Sequence, residues 1–271
     1  MTVSDNSRSS WEDAVKWLKS QPNKEDLVKA CFYDDPLLGA AERFYNSSEW
    51  NALKEYLPAA GHVLDIGSGR GISAYAFAKD GWQVHALEPD RSNLVGAGAI
   101  KKLADESQLS IKVNQTWGEK LPFADSTFDL VYGRAVLHHA NDLKQLCKEA
   151  SRVLKSKGMF IFTREHVISK QEDLNAFLEN HPLHNLYGGE NAYLLKEYKN
   201  AILESGMNLR FVLNPMQSNI NLYPNTKKDI KKKLANRLKI YSSIIPDSLL
   251  FFYGALSNAP GRLYSFVGQK K

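Results

Sequence analysis

The 271-residue chain has only two cysteines, Cys31 and Cys147, far apart and in no metal-ligand spacing. That excludes a disulfide framework and suits a reducing compartment, where each thiol is expected to serve as a small core residue. Long hydrophobic runs are also missing: the longest, Leu249 to Leu256, is far short of the roughly 20 residues a spanning helix needs. The leading stretch, Met1 to Ser10, is polar and has no apolar core, so no secretory signal is read there. No internal repeat or low-complexity segment is present. The expectation is a cytoplasmic protein, at most peripheral to a membrane.

The formal charge of +5 is concentrated in one place. Residues 226–239 hold seven basic side chains (Lys227, Lys228, Lys231, Lys232, Lys233, Arg237 and Lys239) against Asp229, a net +6, so the rest of the chain sums to −1. The basic character is local, which argues against a nucleic-acid-binding chain. This segment leads into the apolar run Leu249-Leu-Phe-Phe-Tyr253. The pair is expected to be a solvated lysine face over a packed helix, or, alternatively, a peripheral membrane contact through 226–256 on an anionic surface.

With 43% hydrophobic and 24% charged residues, the composition is that of an ordinary globular protein. Residues 1–57 read as an N-terminal cap of two or three helices, with no strand before Gly61. From there short apolar runs alternate with amphipathic helices. Strands are expected at His62–Ile66, Gln83–Leu87, Ser110–Val113, Phe128–Tyr132, Met159–Thr163, Leu209–Leu213 and Leu263–Val267. Helices are expected at Ile72–Lys79, Leu143–Leu154 and Leu194–Ser205. Continuous apolar strands separated by helices imply an α/β fold with a doubly wound, mostly parallel, Rossmann-like sheet over residues 58–271. Lid insertions are placed at about 165–195 and 215–262.

Between the first strand and helix stands Asp65-Ile-Gly-Ser-Gly-Arg-Gly71. A dinucleotide fingerprint would put its third glycine one residue later, at Ile72, which disfavours a nicotinamide oxidoreductase. Asp65, two residues before Gly67, would repel a pyrophosphate but attract a cationic amino-acid sulfonium. Glu88 ends the second strand, placed to accept hydrogen bonds from two ribose hydroxyls.

Val63–Gly71, Glu88-Pro-Asp90, Leu121–Val131, Val136-Leu-His-His139 and Arg152–Gly158 together resemble the class I S-adenosylmethionine-dependent methyltransferase family. They are most similar to its small-molecule and quinone C-methyltransferase branch. The resemblance spans roughly residues 61–162 and is specific for fold and cofactor, not for substrate. It implies S-adenosyl-L-methionine as cofactor, with Asp65, Gly67, Ser68 and Gly69 at its methionine part and Glu88 at the ribose. Pro89 or Asp90 would line the adenine pocket, and Arg134 is counted with this cofactor-binding set. In the family an acid usually stands four residues before Leu-Pro-Phe, but here that position is Trp117. The adenine is then expected beside the indole, with backbone groups of Trp117, Gly118 or Glu119 supplying hydrogen bonds.

For the acceptor side, His138 and His139 follow the fourth strand and are catalytic candidates. A His–His pair there is equally an architectural feature whose rings are held by local hydrogen bonds. His166 or Glu165, in the loop expected after the fifth strand, would face the substrate. In His181–Asn191, His184, Tyr187 and Glu190 are taken as substrate contacts; a metal site from His181, His184 and Glu190 lacks diagnostic spacing, so no metal is expected. The function expected is methylation of a small biosynthetic molecule under a lid formed by 11–57 and 165–195. The alternatives are a membrane-peripheral methyltransferase of a quinone or isoprenoid lipid, and a non-catalytic cofactor-binding scaffold.

Overall fold

The computed structural model describes residues 10–271, so all of Met1–Ser10 but its last residue lies outside the described residues. Four short helices open the chain, α1 (Trp11–Ser20), α2 (Glu25–Ala30), α3 (Leu37–Tyr45) and α4 (Ser48–Leu53), followed by a 3₁₀ turn. Ser10 and Asp13 form a capping box that starts α1, and the Ser47 hydroxyl caps α4. The sequence pattern, which shows two or three helices, merges these because each is under three turns long.

The α/β alternation follows: β1 (His62–Ile66), α5 (Ile72–Lys79), β2 (Gln83–Leu87), α6 (Ala97–Ser107), β3 (Ile111–Asn114), β4 (Phe128–Arg134), α7 (Leu143–Val153) and β5 (Leu154–Ile168). Then come α8 (Asp173–Asn180), α9 (His184–Tyr187), β6 (Tyr193–Leu194), α10 (Leu195–Glu204) and β7 (Met207–Leu213). The chain ends with α11 (Asn219–Leu222), α12 (Lys227–Leu238), α13 (Asp247–Leu256) and β8 (Arg262–Lys270). The sheet order is β3-β2-β1-β4-β5-β8-β7, with β6 on β5. Strands β1 to β5 pair in parallel and β8 is antiparallel to both neighbours. The order reverses between β1 and β4, so the crevice beyond their carboxyl ends is where a doubly wound sheet receives a ligand.

One sheet face packs with α3, α4 and α5 in a core containing Phe32, Phe44, Trp50, Phe77 and Tyr132. The other packs with α7 and α10 around Leu64, Val131, Phe160, Tyr198 and Phe266. Burial on both faces explains why β1, β4 and the centre of β5 read as mainly apolar runs, broken in β1 by Asp65 and in β4 by Asp129.

Two expectations are corrected. Arg164-Glu165-His166 is not a loop after the fifth strand. β5 kinks at Arg164 (φ +61) and continues to Ile168, with Glu165 opposite Tyr264 and His166 opposite Leu263. The polar residues hid this extension because here the strand lines a site and not an apolar core. The Leu249–Tyr253 run is packed on one face only: Leu250 and Gly254 of α13 are buried, whereas Leu249, Phe251, Phe252, Tyr253 and Leu256 are exposed, as are Leu238, Ile240, Tyr241 and Ile244 before it.

Candidate active site

At the end of β1 the backbone turns through Gly67, Gly69 and Gly71 with φ of +62°, +54° and +83°, a region disfavoured for residues with a Cβ. At Gly67 the constraint is double, because a Cβ would lie 2.6 Å from a methyl of Val136. At Gly69 no atom lies within 4 Å of that position, so the turn presents bare backbone to open space.

Asp65 is buried beneath this turn. Its Oδ2 accepts the hydroxyls of Ser68 and Ser73, each at 2.6 Å, while Oδ1 has no partner. Burial pushes its pKa up to about 6, against the lowering effect of the two hydroxyls. Ser68, read as a cofactor contact, directs its hydroxyl inward to Asp65. Glu88, also buried, accepts the backbone N–H of Gly69 at 2.8 Å and that of Asp90 at 3.0 Å, one on each oxygen. Desolvation raises its pKa to about 7, opposed by those two N–H groups. The structure thus brings Asp65, Gly69 and Glu88 together around one turn, with Pro89 following directly.

The adenine side is divided. Trp117 is 61% exposed, leaving its ring face open to a stacking partner. Gly118 is packed so closely on α7 that a Cβ would meet Leu146 at 2.3 Å. Glu119 spends its side chain on the N–H of Asn141 and its carbonyl on Gln145, pinning this loop to the start of α7. Its side chain therefore positions the loop.

Arg134 departs from the expected role. Its Nε and Nη2 donate to the two carboxylate oxygens of Glu49 in α4 at 2.7 and 3.0 Å, and its guanidinium lies over the rings of Phe32 and Phe44. Arg164, Nη1 3.9 Å from the same carboxylate, joins this buried cluster. Arg134 therefore ties the N-terminal helices to the end of β4. Glu49 went unread in the sequence because an acid in the first turn of a helix ordinarily complements the helix dipole at the surface. Arg70 likewise fixes the segment before α3, donating to the carbonyls of Phe32 and Asp34 and to the Asp35 carboxylate.

On the acceptor side, the buried carboxylate of Glu165 takes three N–H groups. The backbone N–H of Val136 lies at 3.0 Å, that of His138 at 3.1 Å, and Nδ1 of His138 at 2.7 Å. Burial lifts the Glu165 pKa to about 7 in spite of these donors. His138 is held well below the usual imidazole range, by burial first and then by His139 and His166. His139 donates Nδ1–H to the Gly189 carbonyl at 2.9 Å, and His166 donates to that of Gly261 at 2.8 Å. Glu190 is buried facing His138, His139 and His181, and it accepts the Tyr187 hydroxyl at 2.5 Å. Burial pushes its pKa up, but the three imidazoles and the tyrosine outweigh this and hold it below the usual carboxylate range. All three histidines read as catalytic, together with Tyr187 and Glu190, thus meet in one cluster. His181 joins them. His184 on α9 lies nearby in sequence, its Nδ1 buried without a partner.

The cluster is roofed by two segments far apart in the chain. Trp11, Ala14, Leu18, Val28 and Tyr33 share a small apolar core with Leu183, Leu186 and Tyr187, and the Trp11 ring meets that of Tyr187 edge-on at 4.6 Å.

Residues 64–162 match the family model described as a methyltransferase domain. The chain is 34% identical over 155 residues to a sarcosine/dimethylglycine N-methyltransferase of Halorhodospira halochloris, covering 56% of this chain and 54% of that one. It is 30% identical over 127 residues to an uncharacterized methyltransferase of Bacillus subtilis (strain 168), covering 44% and 46%. The chain spans about half the length of these curated relatives. Among solved structures, geranyl diphosphate C-methyltransferase of Streptomyces coelicolor A3(2) superposes with a TM-score of 0.62 at 13% identity, covering 96% of this chain and 97% of that one. At that identity the likeness is one of fold.

Proposed function

We propose that this chain, whose residues 64–162 match the methyltransferase-domain model, is a class I S-adenosylmethionine-dependent methyltransferase that transfers a methyl group from S-adenosylmethionine to a small-molecule acceptor. The acceptor would sit beneath the roof formed by α1, α2 and α9. The observation that carries the reading is the pair of buried carboxylates, Asp65 and Glu88, on the two sides of the glycine turn.

Their free valences fit the donor. Oδ1 of Asp65 is buried and unpartnered, an acceptor suited to an ammonium group. Glu88 has used one lone pair on each oxygen, so it retains the capacity to accept two ribose hydroxyls. The bare backbone at Gly69 allows close approach, and the open face of Trp117 offers a stacking surface for adenine. When bound there, S-adenosylmethionine supplies a methyl group already activated by its sulfonium. What remains for the chain is alignment, exclusion of water and, for an acceptor bearing a proton, its removal. The imidazoles of His138, His139 and His166 are the candidates for that last task, which adds roughly 10²–10⁴-fold where a base is needed.

Isotopically labelled methyl donor, incubated with the protein and a metabolite extract, tests the reading by mass spectrometry of labelled products. A labelled small molecule that disappears in the Asp65→Ala variant is the expected result. Cofactor binding without any turnover would instead favour a non-catalytic scaffold.

A second reading has its own observation. The exposed apolar side chains of α13 and of 238–244 stand next to α12, where Lys228, Lys232, Lys233, Arg237 and Lys239 are all exposed. Among the described residues no helix is long and apolar enough to cross a membrane. This surface suits lying on one, with apolar rings in the headgroup region and lysines against anionic lipid at about 1 kcal/mol each. An acceptor of quinone or isoprenoid type would then reach the chain from the membrane. Sedimentation with anionic vesicles tests it: binding should fall when Lys228, Lys232 and Lys233 become Glu, and equal binding to neutral vesicles argues against it.

A further inference from the structure

His138 and His139 follow β4, His166 lies on β5, and His181 and Glu190 flank α9, yet the four histidines gather around one carboxylate, that of Glu190. The hydrogen bonds decide where the ring protons are. A carbonyl oxygen can only accept, so His139, bonded to Gly189, and His166, bonded to Gly261, carry their protons on Nδ1. Glu165 already accepts two backbone N–H groups and accepts Nδ1–H of His138 as well. In each neutral ring Nε2 is then a bare lone pair.

Those of His138 and His139 lie 3.7 and 3.9 Å from the same atom, Oε2 of Glu190. That oxygen is buried and has no hydrogen-bond partner. Three acceptors converge with no donor between them, at distances too long for a hydrogen bond. They are nearly those between neighbouring ligands of one metal ion. Bonds of roughly 2.0–2.1 Å in a tetrahedron place the ligand atoms roughly 3.4 Å apart. The outer contacts match too, since an imidazole that binds a metal through Nε2 gives its Nδ1–H to a carboxylate or a carbonyl, here Glu165 and Gly189.

We propose that this cluster is a binding site for one divalent transition-metal ion, held by Nε2 of His138, Nε2 of His139 and Oε2 of Glu190. Two imidazoles and a carboxylate suit zinc, cobalt(II) or iron(II), not the all-oxygen preference of calcium or magnesium. Three protein ligands leave a coordination position for an oxygen of the acceptor. His166 and His181 flank Glu190 as a second pair, but Oε1, which His181 faces at 3.7 Å, is already taken by Tyr187. Access exists from two sides. The His139 side chain is 38% exposed, and a surface depression of about 290 Å³ lined by Phe177, His181 and Pro260 opens beside the cluster. Glu165 is a positioning residue in this scheme. The site revises the expectation of no metal, and it stands whether or not the chain transfers a methyl group.

Chelator-treated full-length protein is titrated with Zn²⁺ against a chromophoric competitor, and with Co²⁺ read by its visible absorption. The expected result is one ion per chain, with Glu190→Gln and His139→Gln each weakening binding at least tenfold. Glu165→Gln should weaken it by roughly tenfold, as for other groups that orient a metal-binding imidazole. S-adenosylhomocysteine affinity, measured without metal, should be unchanged in His139→Gln, which separates this site from the donor site. Should Glu190→Gln fail to fold, His139→Gln, altering a partly exposed ring, decides. Absence of stoichiometric binding, or wild-type affinity in both variants, overturns the proposal.

Discussion

Apart from Trp117, the proposed donor end of the crevice is assembled from a single stretch of chain, Asp65 through Glu88, whereas the proposed acceptor end draws on α1, α4, β4, β5 and the segment around α9. At the donor end the polar groups hold the turn: Asp65 accepts the hydroxyls of Ser68 and Ser73, and Glu88 the backbone N–H of Gly69. At the acceptor end they serve one another, carboxylate to imidazole and arginine to carboxylate, across segments far apart in sequence. A turn built from consecutive residues has one function that its own spacing encodes. A cluster built by tertiary contact can exchange its members, and with them the molecule it accepts, without disturbing that turn.

The largest effect expected from separating the two ends comes at their staple. Glu49→Ala leaves the guanidinium of Arg134 buried without its partner, a loss of about 3 kcal/mol or more. Thermal unfolding should show a drop of many degrees, while cofactor affinity measured in the cold changes little; a matching loss of affinity would break the division drawn here. Asp65→Ala and Glu88→Ala come next. Each should weaken S-adenosylmethionine binding by more than tenfold in calorimetry, and unchanged affinity in both would remove the donor assignment.

A smaller effect is one of pH. The Glu88 pKa, raised to about 7 by burial, exceeds the ordinary glutamate value, so folding takes up a proton there between about pH 4.5 and 7. Its contribution to stability therefore grows as pH falls through that window. Cofactor binding runs the other way, because ionised Glu88 is the better acceptor for ribose hydroxyls. The melting-temperature gain on adding S-adenosylhomocysteine should shrink from pH 8 to pH 6 in the wild type and much less in Glu88→Gln. Parallel curves would show that Glu88 does not titrate against the ligand. The smallest change is expected from Trp117→Ala, a few-fold loss of affinity, since an exposed indole contributes one stacking face. A tenfold or greater loss would mean that the indole is the main adenine contact.

The same division accounts for what could be read in advance. β1, α5 and β2 are legible to the residue because apolar side chains dominate them, interrupted only by Asp65 and His85 inside the strands, and Gly61, Gly67, Gly71 and Gly81 mark their bounds. β5 was read only over its apolar centre, since Arg164, Glu165 and His166 break the apolar pattern while the strand continues. α6 is not legible in the sequence; two of its four core residues are alanine, a weak apolar signal over Ala97, Ala99, Ile100 and Leu103. In the site, His138, His139, His166, Tyr187 and Glu190 were singled out one by one. Their convergence was not, because it depends on where α9 folds back. The pairing of Arg134 is illegible for a related reason: its partner, Glu49, lies in a helix whose place over β4 nothing local announces.

The extension of β5 has a practical side. Val167 and Ile168 pair with Tyr193 and Leu194, so the segment 169–192 leaves the sheet and returns to it at neighbouring points. It is a cassette with both sockets fixed in β-structure. Exchanging 169–192 between relatives would transplant the Glu190 side of the pocket in one piece and spare the core. A junction placed at Arg164, where the sequence suggests a loop, would instead cut a strand paired on both sides.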